Sequence, residues 1–225
     1  MKELLTGNEA IARGAYEAGL HFASAYPGTP STEIIENIAG YDEVKAQWSP
    51  NEKVALEVAM GSAIGGARTL VAMKHVGLNV AADPLFTISY TGINGGLVIV
   101  TADDPGMHSS QDEQDNRYYA RFAKLPMLEP SDSQEAKDFT VLAFELSEKF
   151  NTPVILRLTT RTAHGRSMVN LGDRRECGVK EYTRDIEKYI VLPAHARKLH
   201  VKVEQRMDEL EDLANTIEIN EIQWR

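Results

Sequence analysis

Cys177 is the only cysteine in this 225-residue chain. One thiol builds no disulfide framework and no spaced sulfur set for zinc or an iron–sulfur cluster, so a reducing, cytoplasmic setting is expected. Positive charge is scarce as well: 24 Lys and Arg face 33 Asp and Glu, for a net charge of −9. Without a basic run, counterion-release binding to nucleic acid is not expected, and an anionic membrane surface would repel the chain. Long apolar runs are missing, and none approaches the roughly 20 residues that span a bilayer. Lys2, Glu3, Glu9, Arg13 and Glu17 break up the opening stretch, which argues against a secretory leader.

What remains is an ordinary soluble composition, 43% hydrophobic and 25% charged, in a chain long enough for one sizeable core. Up to about Gly172, short apolar runs that end in Gly- and Pro-rich turns alternate with helical patterns, which predicts an α/β fold. The expected architecture is a parallel sheet of about six strands with helices on both faces. Strands are predicted near 22–26, 44–48, 69–73, 97–101, 126–128 and 154–158. Helices are predicted near 8–18, 31–39, 51–66, 79–90, 111–121 and 133–150. Residues 1–172 are read as the α/β domain and 173–225 as a charged linker, a helical appendage and a terminal strand leading toward a further domain. In the appendage Leu199, Val203, Met207, Leu210 and Leu213 form one stripe, suited to packing on the parent domain or to a coiled-coil seam. Ile217–Trp224 alternates like a strand.

In open parallel sheets ligands bind beyond the carboxyl ends of the strands. Four segments fall there: Tyr26–Thr32, Ser49–Glu52, Lys74–Gly77 and Asp103–Gln111. The first is a tight turn whose Ser31 or Thr32 can cap a helix, and whose free amides suit a carboxylate or serve only the turn. In the second, Glu52 is read either as a site carboxylate or as part of a capping box, with Ser49 as N-cap, Pro50 at the first helical position and Glu52 reaching back to the Ser49 amide. Glu57 falls well round the helix from Glu52, so only one of the two faces a shared site. The glycines that follow, Gly61, Gly65 and Gly66, end a helix and lack a Walker lysine, which rejects a phosphate-binding loop. His75 and Lys74 follow a buried strand, so their side chains either enter the cleft or, for His75, serve as a satisfied loop histidine, while Asp103-Asp104-Pro105-Gly106 reads as a turn and Asp112 and Asp115 as solvated loop residues. No metal site is assigned.

Taken together, Tyr-Pro-Gly-Thr-Pro-Ser-Thr-Glu at 26–33, Asn-Glu-Lys-Val-Ala-Leu-Glu-Val-Ala-Met-Gly at 51–61, Met-Lys-His-Val-Gly-Leu-Asn at 73–79 and Asp-Asp-Pro-Gly-Met-His-Ser-Ser-Gln at 103–111 resemble the alpha subunit of indolepyruvate ferredoxin oxidoreductase. The resemblance implies the pyrimidine-binding domain of a thiamine diphosphate enzyme, with Glu52 hydrogen-bonded to the aminopyrimidine ring and Pro27 and Gly28 beside the cofactor. It implies oxidative decarboxylation of a 2-oxoacid, with electrons passed to 4Fe-4S clusters elsewhere in the complex and the acyl group to coenzyme A. The implied partners are a diphosphate-binding domain that supplies Mg²⁺, a gamma subunit and ferredoxin, within a homo- or hetero-oligomer. Thr29 matches a threonine that contacts substrate in the related pyruvate oxidoreductases.

The departures are equally informative. Those relatives carry an arginine where this chain has Asp103-Asp104, which disfavours pyruvate and agrees with an arylpyruvate; His75 and His108 are then the candidates for holding the substrate carboxylate. The family's Gly-Asp-Gly run and cysteine-rich cluster motifs do not occur in these residues, so the isolated chain is expected to bind thiamine diphosphate weakly and to be inactive. Two other readings share the fold: a non-redox thiamine diphosphate 2-oxoacid decarboxylase, and a catalytically silent assembly module. A neighbouring ferredoxin-like segment favours the redox enzyme, and the effect of removing the Glu52 charge separates either enzyme from the module.

Overall fold

The structure is a computed structural model and describes residues 1–221. Six parallel strands form its sheet, in the order β3-β2-β4-β5-β7-β6. They are β2 (Phe22–Ala25), β3 (Lys45–Trp48), β4 (Thr69–Lys74), β5 (Leu97–Asp103), β6 (Met127–Leu128) and β7 (Val154–Thr159). The interior strands read as continuous apolar runs because both faces are covered. Helices α1 (Gly7–Glu17), α2 (Thr32–Ile38) and α7 (Ser133–Phe150) cover one face, where Ile11, Ile34, Ile38 and Phe144 pack on Leu70, Val100 and Leu156. Helices α3 (Glu52–Ile64), α4 (His75–Val80), α5 (Ala82–Thr91) and α6 (Arg117–Ala123) lie on the other, around Leu56, Met73, Leu85, Ile88 and Ile99. This is the doubly wound α/β architecture that the sequence predicts.

Several details differ from the sequence reading, each for a local reason. A two-stranded antiparallel ribbon pairs β1 (Lys2–Thr6) with β8 (Arg166–Asn170), short exposed segments that alternation did not reveal. The helix expected over 79–90 is two helices: α4 ends at Val80 and α5 places Pro84 in its first turn, where a missing N–H costs nothing. The helix expected from Gln111 begins only at Arg117, because the polar residues before it are drawn into contacts with the sheet. Two short helices, α8 (Thr160–His164) and α9 (Ile186–Tyr189), were not expected.

The long C-terminal helix α10 (Pro193–Thr216) packs back on the parent domain. Leu199, Val203 and Leu210 are buried, Arg206 donates to the Ser89 carbonyl at 2.8 Å, and Tyr90 meets His200 at 3.0 Å. Residues 217–221 form a turn, so the terminal strand is absent there; the remainder of that expectation, 222–225, lies outside the described residues.

Candidate functional site

Strand order locates the crevice before any side chain is considered. From β2 the chain runs outward through α2 to β3, then returns through α3 on the opposite face to enter β4 beside β2. The reversal of winding at the β2–β4 boundary opens the sheet at the carboxyl ends of these strands, the usual ligand position in doubly wound folds. The loops leaving β2, β3, β4 and β5 carry the four segments singled out from the sequence.

Two contacts join the first three. Gly28, in the turn after β2, lies against Lys74 at the end of β4: a Cβ built on Gly28 would sit 3.0 Å from the lysine Cβ. Gly77, in α4, lies against Glu52: a Cβ there would sit 2.6 Å from both Cγ and Oε1 of the glutamate. At both positions the missing Cβ leaves room for a side chain from another segment to pass close to the backbone. Within the first turn, Gly28 accepts from the Ser31 amide and hydroxyl, each at 2.9 Å, and its amide donates to Thr32 Oγ1 at 2.9 Å. Thr29 projects from this turn and is exposed.

The capping-box reading of Glu52 is overturned. Asn51 is the N-cap of α3 and its side chain accepts from the Val54 amide at 2.9 Å. The Ser49 amide is already committed to the Ala25 carbonyl at 2.9 Å, extending the β2–β3 pairing. Glu52 therefore starts the helix without tying down its end, and its half-buried carboxylate makes no hydrogen bond or ion pair among the described residues. Glu57 faces solvent on another side of the helix, within 4.0 Å of Lys53.

The β5 loop is more ordered than a solvated turn. Asp103 ends the strand fully buried, ion-paired to Arg157 Nε at 2.8 Å and accepting from the Asn116 amide at 3.0 Å. Asp104, also buried, accepts from the Ser109 amide at 2.8 Å and from the Ser110 and Thr160 hydroxyls at 2.7 Å each. Burial is the largest single influence on Asp104 and opposes ionisation, but these donors together outweigh it and hold the carboxyl below the usual aspartate range. Of the two expected solvated aspartates, Asp112 is largely exposed while Asp115 lies 3.2 Å from Arg117.

The two candidate histidines differ in exposure. His75, the first residue of α4, is wholly buried, its Nε2 3.3 Å from the Asp112 carbonyl and its Nδ1 without a partner among the described residues. Its backbone carbonyl receives Asn116 and Gln114, which ties the end of β4 to the β5 loop. His108 is exposed on the β5 loop. Arg157 does not replace the missing arginine, because it is buried among the carboxylates of Asp103, Glu129 and Asp115.

Lys74, by contrast, enters the crevice. Its stem passes over Gly28 and its Nζ donates to the Ser109 carbonyl at 3.0 Å, bridging the β2 and β5 loops. The signal was legible as a lone basic residue at a strand end, but the histidine beside it drew the assignment.

The fold and crevice define the class: a doubly wound α/β domain whose switch-point crevice carries a carboxylate without a partner among the described residues. Residues 13–206 match the family described as pyruvate flavodoxin/ferredoxin oxidoreductase, thiamine diP-bdg, and the chain belongs to that family. It is 51% identical to the indolepyruvate oxidoreductase subunit IorA of Archaeoglobus fulgidus, over 97% of this chain and 37% of that protein. It is 33% identical to the 2-oxoglutarate synthase subunit KorA of Methanothermobacter marburgensis, over 76% of this chain and 48% of that one. A solved 2-oxoglutarate:ferredoxin oxidoreductase from Magnetococcus marinus shares the fold, with a TM-score of 0.77 at 18% identity over 94% of this chain and 45% of that one. The chain thus spans a little over a third of the IorA relatives it matches.

Proposed function

We propose that this chain forms the pyrimidine-side half of the active site of an indolepyruvate-type, or similar arylpyruvate-type, 2-oxoacid:ferredoxin oxidoreductase. The observation that carries the reading is the Glu52 carboxylate, uncommitted to any described residue and cradled at the switch-point crevice over a glycine that leaves it room. Such a group fits thiamine diphosphate, whose aminopyrimidine needs one carboxylate at a ring nitrogen. When bound, that cofactor supplies a carbon acid able to add to a 2-oxo group and accept the electrons released with CO₂.

The chain's own residues then have distinct tasks. Glu52 would hold a proton at the ring nitrogen and so favour the imino form of the neighbouring exocyclic amino group, whose nitrogen could then serve as a base. The turn at Pro27 and Gly28 lies beside the ring, and the exposed Thr29 hydroxyl faces the substrate side. Exposed Tyr26 and Met107 lie on the loops of the same rim and suit an aromatic substrate. The Mg²⁺-diphosphate end of the cofactor, the 4Fe-4S clusters and the coenzyme A site belong to other domains or to partner subunits, and ferredoxin takes the electrons.

The test uses the full-length subunit assembled with its partners. Glu52→Gln is expected to lower arylpyruvate-dependent ferredoxin reduction by about 10²–10⁴-fold while subunit assembly persists. Turnover within about threefold of wild type would contradict the reading, since removal of general acid–base assistance costs far more than that.

A further inference from the structure

We infer that Lys74 binds the carboxylate of the 2-oxoacid substrate, in the role that neither His75 nor Arg157 is free to take and for which His108, its ring lying over Gly106 of its own loop, is less well placed; the inference rests on the function proposed above. A 2-oxoacid brings a negative charge into the crevice beside Glu52, and that charge needs a cation that is accessible and not already neutralised. Arg157 is enclosed by three carboxylates, Lys53 is paired with Asp83 at 2.9 Å, and His75 is buried.

Lys74 meets the requirement on each count. It is the last residue of β4, the strand that borders the switch point, and is only half-buried. Its stem lies along Gly28, next in sequence to Thr29, so the lysine stem and the Thr29 turn border the same wall of the crevice. The ammonium is fixed by one neutral acceptor, the Ser109 carbonyl at 3.0 Å, and has no carboxylate partner among the described residues. One of its three N–H donors is thereby used and two remain. The nearby acid on the same loop, Asp104, is saturated by Ser109, Ser110 and Thr160, so it does not compete for the lysine. A lysine held as a point charge is less selective for carboxylate geometry than an arginine fork, and leaves more freedom in how a bulky 2-oxoacid is oriented.

The experiment is a kinetic comparison in the full complex. Lys74→Met is expected to raise KM for an arylpyruvate about 10- to 100-fold, the usual consequence of losing a charged hydrogen bond, with kcat and thiamine diphosphate affinity changed by less than about threefold. An arylpropionate inhibitor should weaken by a similar factor while its neutral amide is unaffected, and Lys74→Arg should restore most of the loss. Lys74→Gln, which can still donate to the Ser109 carbonyl, is read in the same way should the methionine variant fail to assemble. An unchanged KM, equal weakening of acid and amide, or a matching loss of cofactor affinity would overturn the assignment. Glu52→Gln measured alongside separates the two claims. If it abolishes turnover while Lys74→Met leaves KM alone, only the lysine inference fails; if it leaves turnover intact, the parent reading fails.

Discussion

Glu52 and Gly77 form a matched pair: the carboxylate of one occupies the space that a side chain on the other would fill, with 2.6 Å between Oε1 and a Cβ built at the glycine. The glycine sits in helix α4, where alanine is the better helix former by about 1 kcal/mol. Gly77→Ala is therefore expected to leave unfolding free energy within about 1 kcal/mol of wild type, because the flexible glutamate gives way. The same displacement should move the carboxylate off its position and lower turnover of the assembled enzyme by at least about tenfold, since small misplacements of a reacting group are costly. Denaturant titration and steady-state rates check the two halves.

Asn51 and Glu52 are neighbours with opposite tasks. Asn51 caps α3 through the Val54 amide, so Asn51→Ala should cost about 1 kcal/mol of stability. Glu52→Gln removes only a favourable charge at the helix start, worth about 0.3–1 kcal/mol, yet should remove most of the turnover. If the two were reversed, with glutamate governing stability and asparagine governing rate, Glu52 would be structural.

The buried pair of Asp103 and Arg157 is a liability when broken. Arg157→Met leaves a carboxylate uncompensated in the core and should destabilise by about 3–5 kcal/mol. Adding Asp103→Asn removes that charge and should recover a large part of the loss. Thermal unfolding of the two variants provides the measurement, and additive losses would show that the pair is not coupled.

Asp104 gives the β5 loop an acid limit. Its folded-state pKa is depressed, so its contribution to stability is complete above its unfolded value of about 3.9 and is lost as pH falls toward the folded value. Asp104→Asn should cost about 1.5–3 kcal/mol at neutral pH, and the gap from wild type should narrow only below about pH 4. A gap independent of pH down to pH 2 would contradict the hydrogen-bonded carboxylate.

How legible this was depended on the range of the interactions. The parallel strands showed themselves as apolar runs because burial on both faces imposes a local composition, and even the two-residue β6 was visible at Met127–Leu128. The β1–β8 ribbon was not, since Lys2 pairs with Asn170 and neither strand is fully buried. The sequence singles out Glu52 and the Gly28–Thr29 turn, but its capping-box alternative for Glu52 is decided only by a long-range contact, the Ser49 amide being taken by Ala25 of β2. Asp104 read as a turn residue because its donor Thr160 comes from another strand end, 56 residues away in sequence. Lys74 and His75 are adjacent and chemically similar candidates; only the fold decides which side chain faces the crevice and which faces the core.

Glu52 offers a carboxylate to a heterocyclic nitrogen, and hydrogen–deuterium exchange at the thiazolium C2 of bound thiamine diphosphate reports that contact without depending on electron transfer. In the assembled enzyme, Glu52→Gln is expected to slow the exchange by about 10²-fold or more, at a pH where wild type exchanges within the dead time of rapid quenching. Exchange at the wild-type rate in a variant that still binds the cofactor would show that Glu52 does not activate the ring.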